Sequence, residues 1–329
     1  MPTRRRALLI LAVLAGLAQL SIVLALMVGS IAIGPAEVLA TLFGNGHGIA
    51  GDVVRSLRLP RALTGFACGG LLALAGALLQ VLLRNPLADP YVLGISGGAG
   101  IGALLAIVLG LGVAGINGLA FGGAFGAMLL VFGLARGEGG WTQSRLLLTG
   151  VIVAAGCGAV VTLLLALAPD DRLRGMLFWL MGDLSQSGDP QLVLILLLIV
   201  LLVVLPFARE LNLLARGADM AQALGVAVRP LRRGVYLVAS LATAAAVTHA
   251  GAIGFIGLIV PHLVRLAAGN DQRLLLPASV LAGGSLLVIA DTLARTLLAP
   301  QQLPVGVLTA LIGVPVFLFL LTRAAPGRY

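Results

Sequence analysis

The side chains with which enzymes do most of their chemistry are scarce in this chain. Its 329 residues include three histidines, two cysteines and 12 carboxylates. His249 and His262 lie in apolar runs, and neither belongs to the H-E-x-x-H pattern that holds a catalytic zinc ion. All 21 basic residues are arginine, so the nucleotide-binding P-loop, which needs a lysine, is not present. We therefore predict no catalytic residue and no cofactor.

The polar residues that do cluster lie between Arg58 and Gly100. Arg-Leu-Pro-Arg at positions 58–61 precedes an uncharged run, Ala62–Leu83, which is long enough to cross a bilayer as a helix. A polar turn with two prolines, Arg84–Pro90, follows before a second apolar run. Proline fixes its own φ and restricts the preceding residue, so the turn is expected to hold one shape. The pattern predicts a membrane hairpin with a basic outer end and a stiff inner turn, which is either a functional element or simply a tight connection.

The composition places these residues in a polytopic membrane protein. The chain is 60% hydrophobic and 10% charged, with a mean hydropathy of +1.12, whereas a soluble domain is about a quarter charged. In a membrane protein the net charge of +9 reflects how the chain is oriented in the membrane. We therefore expect the basic residues to contact lipid rather than nucleic acid.

Hydropathy predicts nine or ten membrane spans. The uncharged runs are Leu8–Gly34, Ala62–Leu83, Tyr91–Ala135, Leu146–Pro169, Gln191–Ala208, Gly234–Val264, Leu274–Ala290 and Thr296–Thr322. The third run holds two spans around Gly110–Gly118, and the sixth holds one long helix or two short ones broken at its glycines. Ten spans with a cytoplasmic amino terminus place 15 arginines inside and 6 outside, against 12 and 9 for nine spans. The positive-inside rule therefore favours ten.

Ten spans divide into two five-helix halves of opposite direction, as inverted repeats require. We interpret the polar segment Arg209–Arg233 as their connection, within a single permease domain whose residues 1–208 hold spans 1–6 and residues 234–329 hold spans 7–10. Leu173–Gly182 is too short to cross and is expected at the outer interface. Glu210–Val228 is predicted to form a short cytoplasmic helix that ends near Gly225, and that either packs on its own protein or holds a partner.

Several motifs in this order resemble the FecCD-type permeases of bacterial importers for iron chelates and cobalamin. They are Arg-Leu-Pro-Arg at 58–61, Asn-Pro-Leu-Ala-Asp-Pro at 85–90, Leu-Gly-Ile-Ser-Gly-Gly-Ala-Gly at 93–100, Ser-Arg-Leu-Leu-Leu at 144–148, Phe-Trp-Leu-Met-Gly at 178–182, Gly-Ala-Ile-Gly-Phe-Ile-Gly-Leu at 251–258 and Leu-Pro-Val-Gly at 303–306. The resemblance implies an all-α permease of a type II ATP-binding-cassette (ABC) importer in the bacterial inner membrane. It also implies a homodimer that works with two copies of a cytoplasmic ATPase and with a periplasmic substrate-binding protein.

The resemblance also implies roles for individual residues. Arg58, Arg61 and Arg295 match outer arginines that receive acidic residues of the binding protein, although such arginines also anchor lipid headgroups. Asn85, Leu87, Gln143 and Ser144 match a cytoplasmic gate, where Gln143 replaces a smaller hydroxyl residue. The segment Ala215–Val226 matches the part that couples to the ATPase, and its predicted contact residues are Arg216, Gly217, Ala218, Asp219, Met220, Ala221, Gln222, Ala223, Leu224 and Gly225.

Two rival classes are less well supported by the sequence. Proton-coupled carriers bury carboxylates near the middle of the membrane, whereas the main acidic residue within these spans is Asp291, which can pair with Arg295 at i, i+4. An intramembrane enzyme would need a catalytic pattern around the histidines. The substrate stays open among haem, ferric siderophore and cobalamin, with an iron complex favoured.

Overall fold

The computed structural model describes residues 4–29, 31–44, 48–136, 142–185 and 188–323, and the regular secondary structure in these ranges is helical. The helices are α1 (Arg4–Met27), α2 (Pro35–Leu42), α3 (Gly48–Val53), α4 (Leu59–Leu82), α5 (Ile95–Val108), α6 (Val113–Leu134), α7 (Gln143–Ala166), α8 (Asp170–Leu180), α9 (Gln191–Val204), α10 (Ala208–Arg216), α11 (Ala218–Ala223), α12 (Val228–Ala250), α13 (Ile256–Ala268), α14 (Gln272–Ala294) and α15 (Val305–Arg323). A π-helical turn, Val54–Arg58, joins α3 to α4.

Ten of these helices account for the predicted spans. Six segments are long and apolar enough to cross a membrane: α1, the continuous helix from α3 to α4, α6, α7, α9 with α10, and α14. Three shorter apolar helices, α5, α13 and most of α15, bring the number of apolar segments to nine. The tenth is α12, whose first two turns carry arginines. The all-α, ten-helix architecture is confirmed.

The two longest apolar runs are each broken into two helices. Between α12 and α13 the chain turns at Gly251 (φ 68°) and Phe255 (φ 70°), which supports two helices rather than one. The break between α5 and α6 falls at residues 109–112, at the start of the predicted glycine-rich stretch. Because six membrane helices precede the polar segment 209–233, a five-and-five division falls before that segment, after α7, and the segment is not the junction of the halves.

Two predicted non-spanning pieces differ from the structure. The segment predicted to be cytoplasmic, Glu210–Val228 (below, the cytoplasmic segment), contains two helices, because Gly217 takes φ 131° between α10 and α11. Helix α8 starts at the end of α5 that is predicted to be outer, as expected, but it does not stay at that level. Its Arg172 guanidinium binds carbonyl oxygens at the end of α5, and its Leu180 packs beside Gly100, about two turns deeper in α5. Hence α8 descends into the bundle.

Helix α4 forms the centre of the bundle. Every residue in its stretch 67–82 is buried, and the helix packs against α12, α13 and α14. Glycines allow this contact: a Cβ added to Gly76 would lie 1.9 Å from the Gly257 carbonyl oxygen of α13, and one added to Gly69 would lie 2.3 Å from the Gly283 oxygen of α14. Small residues let membrane helices approach backbone to backbone in this way. Since α4 has 24 residues, its ends lie about 36 Å apart, and the two groups of predicted functional residues lie at opposite ends.

Candidate functional sites at the two ends of the bundle

The inner turn after α4 is held by hydrogen bonds from its own side chains. The Asn85 carboxamide oxygen accepts from the Leu87 N–H at 2.9 Å, and the Asp89 carboxylate accepts from the Tyr91 N–H at 2.8 Å. The Tyr91 hydroxyl in turn accepts from the Ile253 N–H at 2.6 Å, in the loop between α12 and α13. These bonds brace the turn and tie it to that loop.

The structure brings Gln143 to the same turn. Thr142 caps α7 by accepting from the Arg145 N–H, and the Gln143 amide donates to the Leu82 carbonyl oxygen at 3.1 Å. Asn85 and Gln143 are half-buried, whereas Leu87 and Ser144 are exposed. The four residues predicted for the gate therefore lie together at the inner ends of α4 and α7.

The Asp89 carboxyl gives the turn a group that titrates close to neutral pH. Burial raises its pKa to about 6, and the hydrogen bond from the Tyr91 N–H acts in the opposite direction. The ordinary value is near 4, so the turn changes its charge in a range where unperturbed carboxylates stay ionised.

A polar bridge that the sequence analysis missed joins α4 to α13 just above this turn. The buried Gln80 amide donates to the Leu258 carbonyl oxygen at 3.1 Å, and its oxygen accepts from the Arg265 guanidinium at 2.8 Å. An amide within an otherwise apolar span was the available signal, because a polar group at such depth needs partners.

The cytoplasmic segment is anchored on one face and exposed on the other. Leu211, Leu214 and Ala221 are buried, whereas Met220 is 47% and Leu224 58% exposed. The remaining predicted contact residues are exposed at Arg216, Asp219, Gln222, Ala223 and Gly225, half-buried at Ala218 and buried at Gly217. The segment thus presents polar and apolar side chains that its own protein leaves uncovered.

Two contacts tie this segment to other functional elements. Asn212 of α10 donates to the Asp271 carboxylate at 2.9 Å, and its oxygen accepts from the Gln272 N–H at 2.9 Å, so it holds the first turn of α14. A Cβ on Gly217 would lie 3.9 Å from the guanidinium carbon of Arg84, the first residue of the inner turn. The segment therefore touches both the inner turn and α14.

At the outer end, the predicted docking residues Arg61 and Arg295 flank one carboxylate. Arg61 makes a two-pronged contact with Asp291, with its Nη2 2.8 Å and its Nε 2.9 Å from the two carboxylate oxygens. The Arg295 Nε lies 3.8 Å from the same carboxylate, so the predicted i, i+4 pair forms but is the weaker of the two. The side chains of Asp291, Arg61 and Arg295 are only 6%, 13% and 11% exposed.

Two of the predicted docking arginines also bind backbone carbonyls of α1. Arg58 is buried and donates to the carbonyl oxygens of Leu26 and Met27 at the end of that helix, and Arg295 donates to that of Ala25. Burial lowers the pKa of the Arg295 guanidinium, while the carboxylate of Asp291 acts in the opposite direction. Three guanidinium groups and one carboxylate leave two net positive charges in this outer corner, formed by Arg58, Arg61, Asp291 and Arg295.

A bundle of ten membrane helices with polar elements at both ends defines a polytopic membrane protein, and comparison with known proteins gives the family. Residues 17–323 match the FecCD transport family, to which this chain belongs. The chain is 46% identical over 272 residues to a cobalamin import system permease from Halobacterium salinarum, covering 82% of this chain and 73% of that one. It is 43% identical over 281 residues to the hemin transport system permease of Yersinia pestis, covering 83% and 84%.

The fold has a counterpart among solved structures. A putative ABC transporter of the metal-chelate type, in an inward-facing conformation, superposes with a TM-score of 0.83 at 31% identity. The alignment covers 96% of this chain and 99% of that one. This agreement extends the family assignment to the full arrangement of helices described above.

The outer corner generates a stability prediction. Replacing Asp291 by leucine leaves two nearly buried guanidinium groups without their counter-charge, which is expected to cost about 3–5 kcal/mol. The matched control is Asp171→Leu, which removes a carboxylate that is 77% exposed and 3.9 Å from Arg172, at a cost of about 1 kcal/mol or less. Thermal unfolding of the two variants in the same detergent measures the difference.

A double substitution separates charge from shape at this position. Arg61→Met combined with Asp291→Leu replaces the closer ion pair by apolar groups and is expected to recover part of the lost stability, since Arg295 still lacks its counter-charge. If Asp291→Leu unfolds at the same temperature as Asp171→Leu, the carboxylate does not hold the corner together.

Proposed function

We propose that this chain is the permease subunit of an ABC importer that moves a metal chelate from periplasm to cytoplasm across the bacterial inner membrane. The observation that carries the proposal is the match to the metal-chelate ABC transporter over 96% of the chain, together with membership of the FecCD transport family. The chain has no lysine for a P-loop, so ATP hydrolysis falls to a separate subunit.

The proposed assembly is a homodimer with two copies of a cytoplasmic ATPase below and a periplasmic substrate-binding protein above. The uncovered face of α10 and α11 supports an ATPase contact, because Met220 and Leu224 present apolar surface beside polar side chains. The two net positive charges of the outer corner support contact with acidic side chains of a binding protein.

In the proposed cycle the inner turn closes the pathway towards the cytoplasm. Leu87 is the exposed apolar residue of the turn, and Asn85 and Gln143 fix its position relative to α4 and α7. Because Arg84 of this turn lies over Gly217, a displacement of the cytoplasmic segment by the ATPase would reach the turn through direct contact. This geometry supports coupling of ATP hydrolysis to the gate.

The proposed substrate class is a bulky metal chelate, either an iron complex or cobalamin. The named relatives include permeases for both hemin and cobalamin at similar identity, 43% and 46%. A pathway that must release a large ligand needs weakly binding walls, so we assign selectivity mainly to the binding protein.

Uptake into sealed vesicles tests the proposed function. Vesicles that contain the permease and its ATPase, supplied with binding protein loaded with haem, a ferric siderophore or cobalamin, are expected to accumulate one of the three only when ATP is present on the ATPase side. A secondary transporter would accumulate its substrate without nucleotide under an ion gradient, and that result would contradict the proposal.

The exposed face of the cytoplasmic segment gives a coupling prediction. Met220→Asp or Ala223→Asp places a charge in the proposed contact, and each is expected to lower uptake per ATP hydrolysed by about tenfold while the permease stays folded. Ala221→Trp is unsuitable because Ala221 is fully buried, so it would disturb the permease itself.

The control for this prediction is Ile49→Asp, which changes a residue that is 77% exposed at the opposite end of the molecule. Copurification of the ATPase and uptake are measured on the same preparations. Full copurification with unchanged uptake in both segment variants would show that the ATPase binds elsewhere.

The outer corner gives a docking prediction. Glutamine is a better replacement than alanine, because it removes the charge but keeps an amide donor and more of the side-chain volume beside the carbonyls that Arg58 and Arg295 bind. Arg58→Gln and Arg295→Gln are expected to weaken capture of the binding protein by about tenfold each and to reduce its salt dependence. Arg5→Gln, at the exposed cytoplasmic start of α1, is the control. Unchanged, salt-insensitive capture would instead assign these arginines to headgroup anchoring.

A further inference from the structure

A cavity opens between α9 and α12 at their cytoplasmic ends. Its volume is about 610 Å³, within the range of about 300–1,000 Å³ usual for small-molecule sites. The walls towards the membrane are apolar and include Val203 and Phe207 on the α9 side and Val235 and Val238 on α12. The walls towards the cytoplasm include Arg209 and Glu210 at the start of α10.

The cavity is continuous with an exposed apolar surface of α9. The exposed side chains of α9 are large and aliphatic, among them Leu198 and Leu202, and the exposed side chains of Val203 and Phe207 extend this surface into the cavity. The lining of the cavity therefore changes from apolar at one end to charged at the other, as a phospholipid changes from acyl chain to headgroup.

The charged end carries one group of each sign. Arg209 is exposed, and the Oε2 atom of Glu210 is buried without a hydrogen-bond partner among the described residues. A buried carboxylate oxygen left unpaired is costly, and it is satisfied by a donor that carries positive charge. The adjacent guanidinium suits a phosphate, because it presents several N–H donors to phosphate oxygens.

We propose that this cavity binds one phosphatidylethanolamine molecule of the inner leaflet. Its phosphate accepts hydrogen bonds from Arg209, its primary ammonium donates to Glu210, and an acyl chain lies along Val203, Val235 and Val238. An anionic phosphatidylglycerol offers no cation to Glu210. A phosphatidylcholine offers a quaternary ammonium, which has no N–H to donate. The inference does not depend on the transported substrate, but Leu224 and Gly225 of the proposed ATPase contact also line the cavity.

Lipid retention by the purified full-length chain tests the proposal. The protein is reconstituted in vesicles of equal parts phosphatidylethanolamine, phosphatidylcholine and phosphatidylglycerol, extracted in mild detergent, and its retained lipids are counted by native mass spectrometry. Phosphatidylethanolamine is expected to be retained about tenfold over the other two, the change that one charge-assisted hydrogen bond brings.

Matched variants assign the retained lipid to this cavity. Glu210→Gln is expected to abolish the preference for phosphatidylethanolamine over phosphatidylcholine, Arg209→Gln to lower retention of all three lipids, and Val238→Trp to fill the cavity and remove the bound molecule. Leu198→Trp and Arg233→Gln change exposed residues outside the cavity and should retain lipid as the unmodified chain does.

Three results would overturn the proposal. Equal retention of the three lipids by the unmodified chain would exclude headgroup recognition, and unchanged retention in Glu210→Gln would exclude this carboxylate. Loss of ATPase copurification by Val238→Trp, with lipid retention unchanged, would show that the ATPase rather than lipid occupies the cavity. Glu210→Gln leaves the apolar wall of the cavity intact, so its result stands even if Val238→Trp does not fold.

Discussion

The close approach of α4 to α13 and α14 is the constraint on which the rest of the structure depends. In a bilayer there is no hydrophobic gain from moving an apolar helix out of lipid, so the helices must be held by close packing and by polar contacts. The approach at Gly76 and Gly257, and at Gly69 and Gly283, leaves no room for a single methyl group. With α4 fixed in this way, the arginines at its outer end and the turn at its inner end keep a set position relative to the remaining helices.

Helix α14 offers a physical connection between the two ends. Its first residues are held by Asn212 of the cytoplasmic segment, and its last turn carries Asp291, which Arg61 grips at the outer corner. A helix attached at both ends and packed along α4 gives the two ends a continuous physical connection. Spatial continuity alone is not coupling, and a measured dependence of one end on substitutions at the other is what establishes it.

The sequence predicted the architecture well because its main signals are compositional. Uncharged runs, glycine breaks and the distribution of arginines were enough to give ten spans and the polar elements between them. The start of α12 was missed because its first two turns carry arginines, and hydropathy does not detect a helix that extends beyond the membrane. The descent of α8 was missed for a related reason, since segment length does not report depth when neighbouring helices provide the packing surface.

The contacts within the sites were less predictable than the elements that carry them. Asp291 has a sequence neighbour, Arg295, at helical spacing, yet its two-pronged partner is Arg61, 230 residues away. Local spacing can suggest a pair, but the choice among several buried arginines depends on which helices meet. Gln143 likewise bonds to Leu82, and Asn212 bonds to Asp271. In each pair the two residues are distant in the chain, so their contact depends on which helices meet.

A comparison of α7 with α9 shows how exposed membrane surface can be divided between lipid and protein. Both helices have few buried residues and expose large aliphatic side chains, which suit contact with lipid. Those of α9 run along its whole length, whereas those of α7, such as Ile152 and Leu163, lie on either side of its middle. The middle of α7 instead exposes small residues, including Ala155, Gly156 and Gly158. Small side chains gain little from lipid contact and permit either close approach by another helix or a wide passage. The exposed small residues of α7 therefore favour this helix over α9 for the surface shared by two copies in the proposed homodimer, and the aliphatic surface of α9 favours contact with lipid beside the cavity.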